Sequence, residues 1–277
     1  MYKNFFLQFE PTNQCNHDCE ICMRENLERP VGFASVDLFR HLISSRRFSY
    51  IGFHGWGEPF LNEDIFEMVR YAESRGIKTG LITNGTLLSD KINKIFASNL
   101  YEIAFGVHKL SGLEGIEEDI RLLIKEKNNR GSRLRIFLDI TAYNKNRGKV
   151  LKMIEEAKAI GIRYINLHRL FDLYGVDPSV KSLDQPDDIK LFNDARALGK
   201  RLGMKVFFSK RHKTSCKIMR YALFITWDGY LTPCCFLPNH HFGNVLDTDL
   251  NDILRSKEYK NFVKSMASDD ICKRCIM

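Results

Sequence analysis

Cysteine placement constrains this chain more than any other feature. Cys15, Cys19 and Cys22 stand together near the start, almost two hundred residues follow with none, and Cys216, Cys234, Cys235, Cys272 and Cys275 fall in the last quarter. Cysteines used as small core hydrophobes would be scattered through apolar runs. Here the residues between the first thiols include Asn16, His17, Asp18 and Glu20, which are polar. The first ten residues contain neither a long apolar run nor a small-residue cleavage site. No apolar stretch approaches the roughly 20 residues that span a bilayer. The expected location is therefore the cytoplasm, a reducing compartment where grouped thiols read as metal ligands or reactive groups before they read as disulfides.

Four thiolates close a tetrahedral zinc site. Three thiolates in the spacing Cys15-x3-Cys19-x2-Cys22 do not. They hold three corners of a [4Fe–4S] cube and leave the fourth iron open to another ligand. An open iron, like an open position on zinc, marks a reactive centre.

Hydrophobic periodicity supplies the frame around these thiols. Strands are predicted over 5–10, 50–54, 78–83, 102–107, 134–141 and 164–168. Helices are predicted over 36–44, 63–75, 90–97, 113–127 and 150–160. Ser35 is placed to cap the first helix and Gly76 to stop the second. Six strands alternating with helices argue a parallel sheet with right-handed crossovers, an α/β fold that is either a partial (β/α)6 barrel or an open sheet. In such folds the functional groups sit at the carboxyl ends of the strands. The first thiols follow strand one, Gly55-Trp56-Gly57-Glu58-Pro59 follows strand two, and Asn84-Gly85 follows strand three. A loop over 170–182, a helix over 187–202 and a strand over 205–208 come next. Then Trp227-Asp228-Gly229 forms a hairpin signal between 222–225 and 230–232. A helix is predicted over 249–266. The expected division is 1–209 for the barrel and 210–277 for a small hairpin-plus-helix iron–sulfur unit.

These motifs together resemble the radical SAM superfamily. Cys15-x3-Cys19-x2-Cys22 matches its cluster motif, Gly55-Trp56-Gly57-Glu58-Pro59 resembles its Gly-Gly-Glu-Pro segment, and Thr83-Asn84-Gly85 is similar to a turn common in one large subgroup. Cys216-x17-Cys234 followed by Cys272-x2-Cys275 resembles the twitch domain, a shortened SPASM module. The resemblance implies two [4Fe–4S] clusters. Cys15, Cys19 and Cys22 would hold the one that chelates S-adenosylmethionine, and Cys216, Cys234, Cys272 and Cys275 the auxiliary one, with zinc the metal alternative there. It also implies reductive cleavage of S-adenosylmethionine to a 5′-deoxyadenosyl radical, with the protein orienting the cofactor. Cofactor contacts are expected from Gly55, Gly57, Glu58, Pro59, Thr83 and Asn84. Glycine at 55 and 57 allows close backbone approach.

The sequence departs from the family where Ile21 replaces an aromatic residue before the third cysteine. It departs again where Phe105-Gly106-Val107-His108-Lys109 replaces Ser-Ile-Asp-Gly. Those changes put the ribose contacts in doubt and leave His108 a substrate-facing candidate or a simple hydrogen-bonding group. Arg169 is a candidate for holding a carboxylate or phosphate, against a structural role. Cys235 is left over as a spare ligand, an inert neighbour or a hydrogen-atom donor. His240 and His241 are not needed as ligands.

Lys plus Arg is 42 and Asp plus Glu 34, a net charge of +8. Nucleic acid is one partner such a balance suggests, with RNA modification as the matching activity. The densest basic runs, 46–47, 125–135 and 200–213, fit solvated helix ends and loops, and no nucleic-acid-binding module is found. A flavodoxin- or ferredoxin-type electron donor explains the charge equally. Two enzyme readings lead. One is oxidation of a carbinol in a sugar or cyclitol-like substrate, as in the similar aminocyclitol dehydrogenases, with the auxiliary cluster accepting an electron. The other is modification of a ribosomally made peptide, by epimerisation with Cys235 as donor or by crosslinking. Membrane partners are not expected.

Overall fold

The computed structural model describes residues 5–171, 177–209 and 216–275. The alternation produces β1 (Phe5–Phe9), α1 (Val36–Ser45), β2 (Phe48–Phe53), α2 (Ile65–Ser74), β3 (Lys78–Thr83), α3 (Ile92–Ala97) and β4 (Glu102–Gly106). It continues through α4 (Leu110–Glu114), α5 (Glu117–Asn129), β5 (Arg135–Ala142), α6 (Val150–Ile160), β6 (Tyr164–Arg169), α7 (Gln185–Leu202) and β7 (Lys205–Phe207). The C-terminal part holds β8 (Ala222–Ile225), β9 (Tyr230–Thr232), β10 (Gly243–Asn244), α8 (Leu250–Arg255), α9 (Lys257–Ser265) and α10 (Asp270–Arg274).

All ten strands form one sheet in the order β10-β9-β8-β1-β2-β3-β4-β5-β6-β7. Strands β1 to β6 run parallel in chain order, as six repeated strand–helix units require. The sheet extends past the predicted six at both sides. β7 pairs parallel with β6, and β8 pairs parallel with β1. The antiparallel hairpin β8–β9 turns at Gly229, whose φ of +91° suits glycine. The C-terminal unit thus continues the sheet through β8, and its Cys235 lines a cavity together with Cys15, Cys19 and Cys22.

Alternation along each strand divides the molecule into two sides. Leu7 and Phe9 of β1 join the helix-facing core, where Phe9 packs on Phe39 of α1 with ring centroids 5.1 Å apart. Gln8 between them lines the cavity on the concave side. Helix ends follow their capping residues. The Ser35 hydroxyl accepts from the Leu38 amide at 3.1 Å, and α7 stops at Gly203, φ +67°.

Two predicted helices are divided. The span 113–127 splits into α4 and α5 around Gly115, a poor helix former. The span 249–266 splits at Ser256, whose extended backbone and side-chain bond to the Tyr259 amide start a second helix. Part of the predicted 170–182 loop, the residues from 210 in the 200–213 basic run, and the start of the 210–277 unit lie outside the described residues. Among the described residues, no helix is long and apolar enough to cross a membrane.

Candidate active site

The loop after β1 is stapled before it reaches its first thiol. The Thr12 hydroxyl donates to the Gly32 carbonyl at 2.6 Å, and Asn13 accepts from the Gly32 amide at 3.0 Å. Glu10, fully buried, takes both guanidinium nitrogens of Arg29 and also accepts from the Trp56 amide at 3.0 Å. A buried carboxylate is stable only when paired in this way. Sequence reasoning missed Glu10 and Arg29, because no local pattern links a strand-end Glu to an Arg nineteen residues later.

The Gly55–Pro59 turn then packs against this loop. A Cβ on Gly55 would lie 2.6 Å from Oε1 of Glu10, and one on Gly57 would lie 2.5 Å from the Gln14 carbonyl. Both glycines are therefore required by contact within the protein, beyond any contact with a cofactor. The Glu58 amide donates to the Gln14 carbonyl at 2.8 Å. Its buried carboxylate accepts from the Phe60 amide (3.0 Å), the Thr83 hydroxyl (2.7 Å) and the Asn84 amide (2.7 Å). Burial raises its pKa, and these three donors oppose the rise. Glu58, Pro59 and Thr83 thus hold the turn in place with side chains that are already buried. The Asn84 side chain donates to Asn16 at 2.8 Å and approaches Cys15 Sγ at 4.0 Å, at the thiol loop itself.

Strand ends enclose a cavity of about 350 Å³ lined by Cys15, Cys19 and Cys22 on one side and by Gln8, His54, His108, Asp139, Thr141 and His168 on the other. Cys235 and Phe236, from the C-terminal unit, line the same cavity. The predicted His108 is there, and its Nδ1 accepts from the Thr141 amide at 3.4 Å. Gly106, in the same wall, leaves open the space that a side chain at that strand end would fill, with no atom nearer than 3.7 Å to a built Cβ. Burial lowers both His54 and His108 to about 4. His168 Nε2 meets Asp139 Oδ1 at 2.6 Å. Burial alone would lower His168, but the Asp139 charge and hydrogen bond outweigh it and the net shift is upward.

Arg169 is a correction to expectation. His168 and Arg169 both border the cavity, but the Arg169 side chain is only 9% accessible. The Arg169 guanidinium donates to Asp188 of α7 at 2.8 Å and to the Ser209 carbonyl, and it lies 4.3 Å from the Phe192 ring centroid. It ties β6 to α7 and is not presented to an incoming carboxylate.

The thiols fit iron–sulfur ligation. Burial first, then the neighbouring Cys22 and Cys15, pushes Cys19 up to about 11. In the C-terminal unit, Cys234 is raised by burial and by Cys235, Cys272 and Cys275. Cys272 is pushed up to about 12 by burial, Asp269, Cys216 and Cys275. Thiols that raise one another this way become thiolates when a cation neutralises them. Among the described residues, no three Cys, His, Asp or Glu groups converge closely enough for a single metal ion. Asp269 accepts from the Ile271 and Cys272 amides at 2.9 Å, fixing the first turn of α10 where Cys272 stands. His241 stacks on Tyr230 at 4.4 Å, and His240 packs between Phe242 and Phe262. Packing accounts for both rings.

Comparison with known proteins agrees with this arrangement. Residues 9–179 match the radical SAM superfamily model, and residues 216–276 match SPASM, an iron–sulfur cluster-binding domain. The two domains imply one [4Fe–4S] cluster each. The "tungsten-containing aldehyde ferredoxin oxidoreductase cofactor-modifying protein" of Pyrococcus furiosus is 25% identical, over 93% of this chain and 82% of that protein. The crystal structure of Streptococcus suis SuiB bound to S-adenosylmethionine superposes with a TM-score of 0.78 at 16% identity, covering 99% of this chain and 72% of that one. BtrN in complex with AdoMet and 2-DOIA superposes at 0.62 and 18%, covering 99% and 93%. The chain therefore belongs to the radical SAM superfamily, as an enzyme with a C-terminal SPASM-type iron–sulfur domain.

Proposed function

We propose that this enzyme oxidises a carbinol carbon of a sugar or cyclitol-like substrate held in the cavity between Cys15, Cys19 and Cys22 and the β5–β6 strand ends. In this reading those three thiolates hold the open cluster, and Cys216, Cys234, Cys272 and Cys275 hold the auxiliary one. When bound, the open cluster and S-adenosylmethionine supply a 5′-deoxyadenosyl radical. The backbone at Gly55 and Gly57 borders the cofactor, and Asn84 orients the loop that carries Cys15. The residues up to 209 act as the barrel unit, and those from 210 as the auxiliary-cluster unit. A flavodoxin- or ferredoxin-type protein delivers the electron in the cytoplasm.

The supporting observation is the polar lining opposite the three thiols: Gln8, His54, His108, Asp139 and His168 offer hydrogen bonds suited to hydroxyl groups. Reconstituted protein with S-adenosylmethionine and a one-electron reductant is expected to move deuterium from a C-deuterated carbinol into 5′-deoxyadenosine and to release the ketone. A peptide that supports 5′-deoxyadenosine formation where no carbinol does would overturn the reading.

One observation favours a second reading. Cys235 lines the same cavity as the first three thiols, where a thiol returning a hydrogen atom to a peptide α-carbon would stand. Epimerisation would carry solvent deuterium into the product, which carbinol oxidation does not do.

A further inference from the structure

The cavity floor contains three histidines and an aspartate that ligate no cluster in the proposed scheme. Their protonation states follow from their partners. Gln8 Nε2 donates to His54 Nδ1 at 3.1 Å and to the His54 carbonyl at 3.4 Å. A ring nitrogen that accepts carries no proton, so the His54 proton sits on Nε2. His108 Nδ1 accepts from the Thr141 amide, and the same logic puts its proton on Nε2. Burial lowers both to about 4, so both rings are neutral at neutral pH, and both residues line the cavity.

His168 differs. Its Nε2–H donates to Asp139, so Nδ1 is the ring nitrogen left free to accept a proton. Its side chain is 43% accessible, through the cavity it lines. The groups facing it are Asp139 from β5, His108 from the end of β4 and His54 from the end of β2. The remaining charges in the lining are Glu20, Asp177 and Arg169. Glu20 is bound by Lys145 at 2.8 Å and by Lys109 at 3.1 Å, and Arg169 by Asp188. Among the described residues of this lining, Arg169 is held by Asp188, and His168 is paired with Asp139.

We propose that His168, oriented by Asp139, is the base that accepts the substrate's hydroxyl proton, while His54 and His108 donate N–H bonds to neighbouring substrate oxygens, so that the site selects a neutral polyol. The inference rests on the carbinol reading and assigns its proton. With both clusters and S-adenosylmethionine bound, the C–H hydrogen atom would leave in 5′-deoxyadenosine, the O–H proton would pass to His168 Nδ1, and the auxiliary cluster would take the remaining electron. The C–O single bond becomes a carbonyl, and atoms and electrons balance.

Two measurements test this. The first uses the holoprotein with both clusters oxidised, ¹⁵N-labelled histidine and no reductant. Nitrogen NMR should show His54 and His108 as Nε2–H tautomers at pH 7 and His168 titrating above the usual histidine value. Adding myo-inositol or D-glucose should shift all three imidazoles. Nδ1–H tautomers, or imidazoles unmoved by either polyol, overturn the assignment. The second measurement compares wild type with His168→Gln on C-deuterated polyol. Deuterium should still enter 5′-deoxyadenosine, while ketone per 5′-deoxyadenosine falls on the order of 10²-fold. The wild-type ratio should rise with pH through the His168 titration, and the variant's should stay flat. Equal ratios and equal pH profiles sink the His168 role alone. Absence of deuterium transfer in wild type sinks the carbinol reading instead.

Discussion

The two thiol sets of this molecule are built in opposite ways. Cys15, Cys19 and Cys22 lie within eight residues on one loop, and the sheet fixes that loop through Thr12, Asn13 and the Gln14–Glu58 contact. Cys216, Cys234, Cys272 and Cys275 come from three separate segments: ahead of β8, after β9, and on and just beyond α10. The first set faces the cavity. In the second, Cys216 and Cys272 pack against the main core, and Cys275 packs with Met23, Phe171, Trp56 and Phe236. In the proposed scheme the first site draws its three ligands from one loop, whereas the second draws four from segments of long sequence separation.

The largest effects should separate the two sets by function. Replacing Cys15, Cys19 or Cys22 with Ala is expected to abolish 5′-deoxyadenosine formation. Replacing Cys216 or Cys272 should leave that cleavage and remove the oxidised product. Either change should lower reconstituted iron from about eight to about four per chain, since each site holds one four-iron cluster. Iron analysis with product chromatography checks this. Native-rate 5′-deoxyadenosine from Cys19→Ala breaks the comparison at its root.

Glu10 is where the two regions meet. It binds Arg29 beside the first thiol loop, the Trp56 amide in the glycine turn, and the Trp227 amide of the C-terminal hairpin at 3.4 Å. Glu10→Gln removes the charge and leaves the Arg29 guanidinium buried. A buried pair broken on one side costs about 3–5 kcal/mol. The urea midpoint should fall accordingly, and both clusters should become easier to remove with a chelator. Loss of the first cluster alone would show that the hairpin docks independently of Glu10.

Much of this arrangement was legible in the sequence for a physical reason. Strands β1 to β6 carry short segments rich in aliphatic and aromatic residues between helical patterns, and the cluster motif lies within one loop. What was missed is tertiary. Glu10, Arg29, Gln8, His54 and Asp139 matter because the sheet register and loop packing bring them together, and none sits in a spacing pattern. His108 was found because it replaces a familiar strand-end residue. Arg169 is a candidate by its charge, and its partner Asp188 on α7 is a tertiary contact that the sequence does not announce. The 209/210 division is drawn from the hairpin signal and the C-terminal thiols, and the pairing of β8 with β1 is a tertiary contact that no local pattern announces.

The smallest effect tests the docking half of the comparison. Apolar spacing over 249–266 is continuous, yet the chain breaks into α8 and α9 at Ser256, where φ is −56° and ψ is 155°. The Ser256 hydroxyl accepts from the Tyr259 amide at 3.1 Å, and Tyr259 in turn donates its own hydroxyl to the Met219 carbonyl at 2.9 Å. The cap therefore aims α9 so that Tyr259 reaches the segment between Cys216 and β8. Alanine lacks the capping oxygen, so Ser256→Ala should destabilise the holoprotein by about 1 kcal/mol and speed chelation of the auxiliary cluster relative to the first. Chemical denaturation and differential iron release measure both. If stability is unchanged and helical circular dichroism rises, α8 and α9 have fused, and the apolar pattern, not the cap, governs this segment.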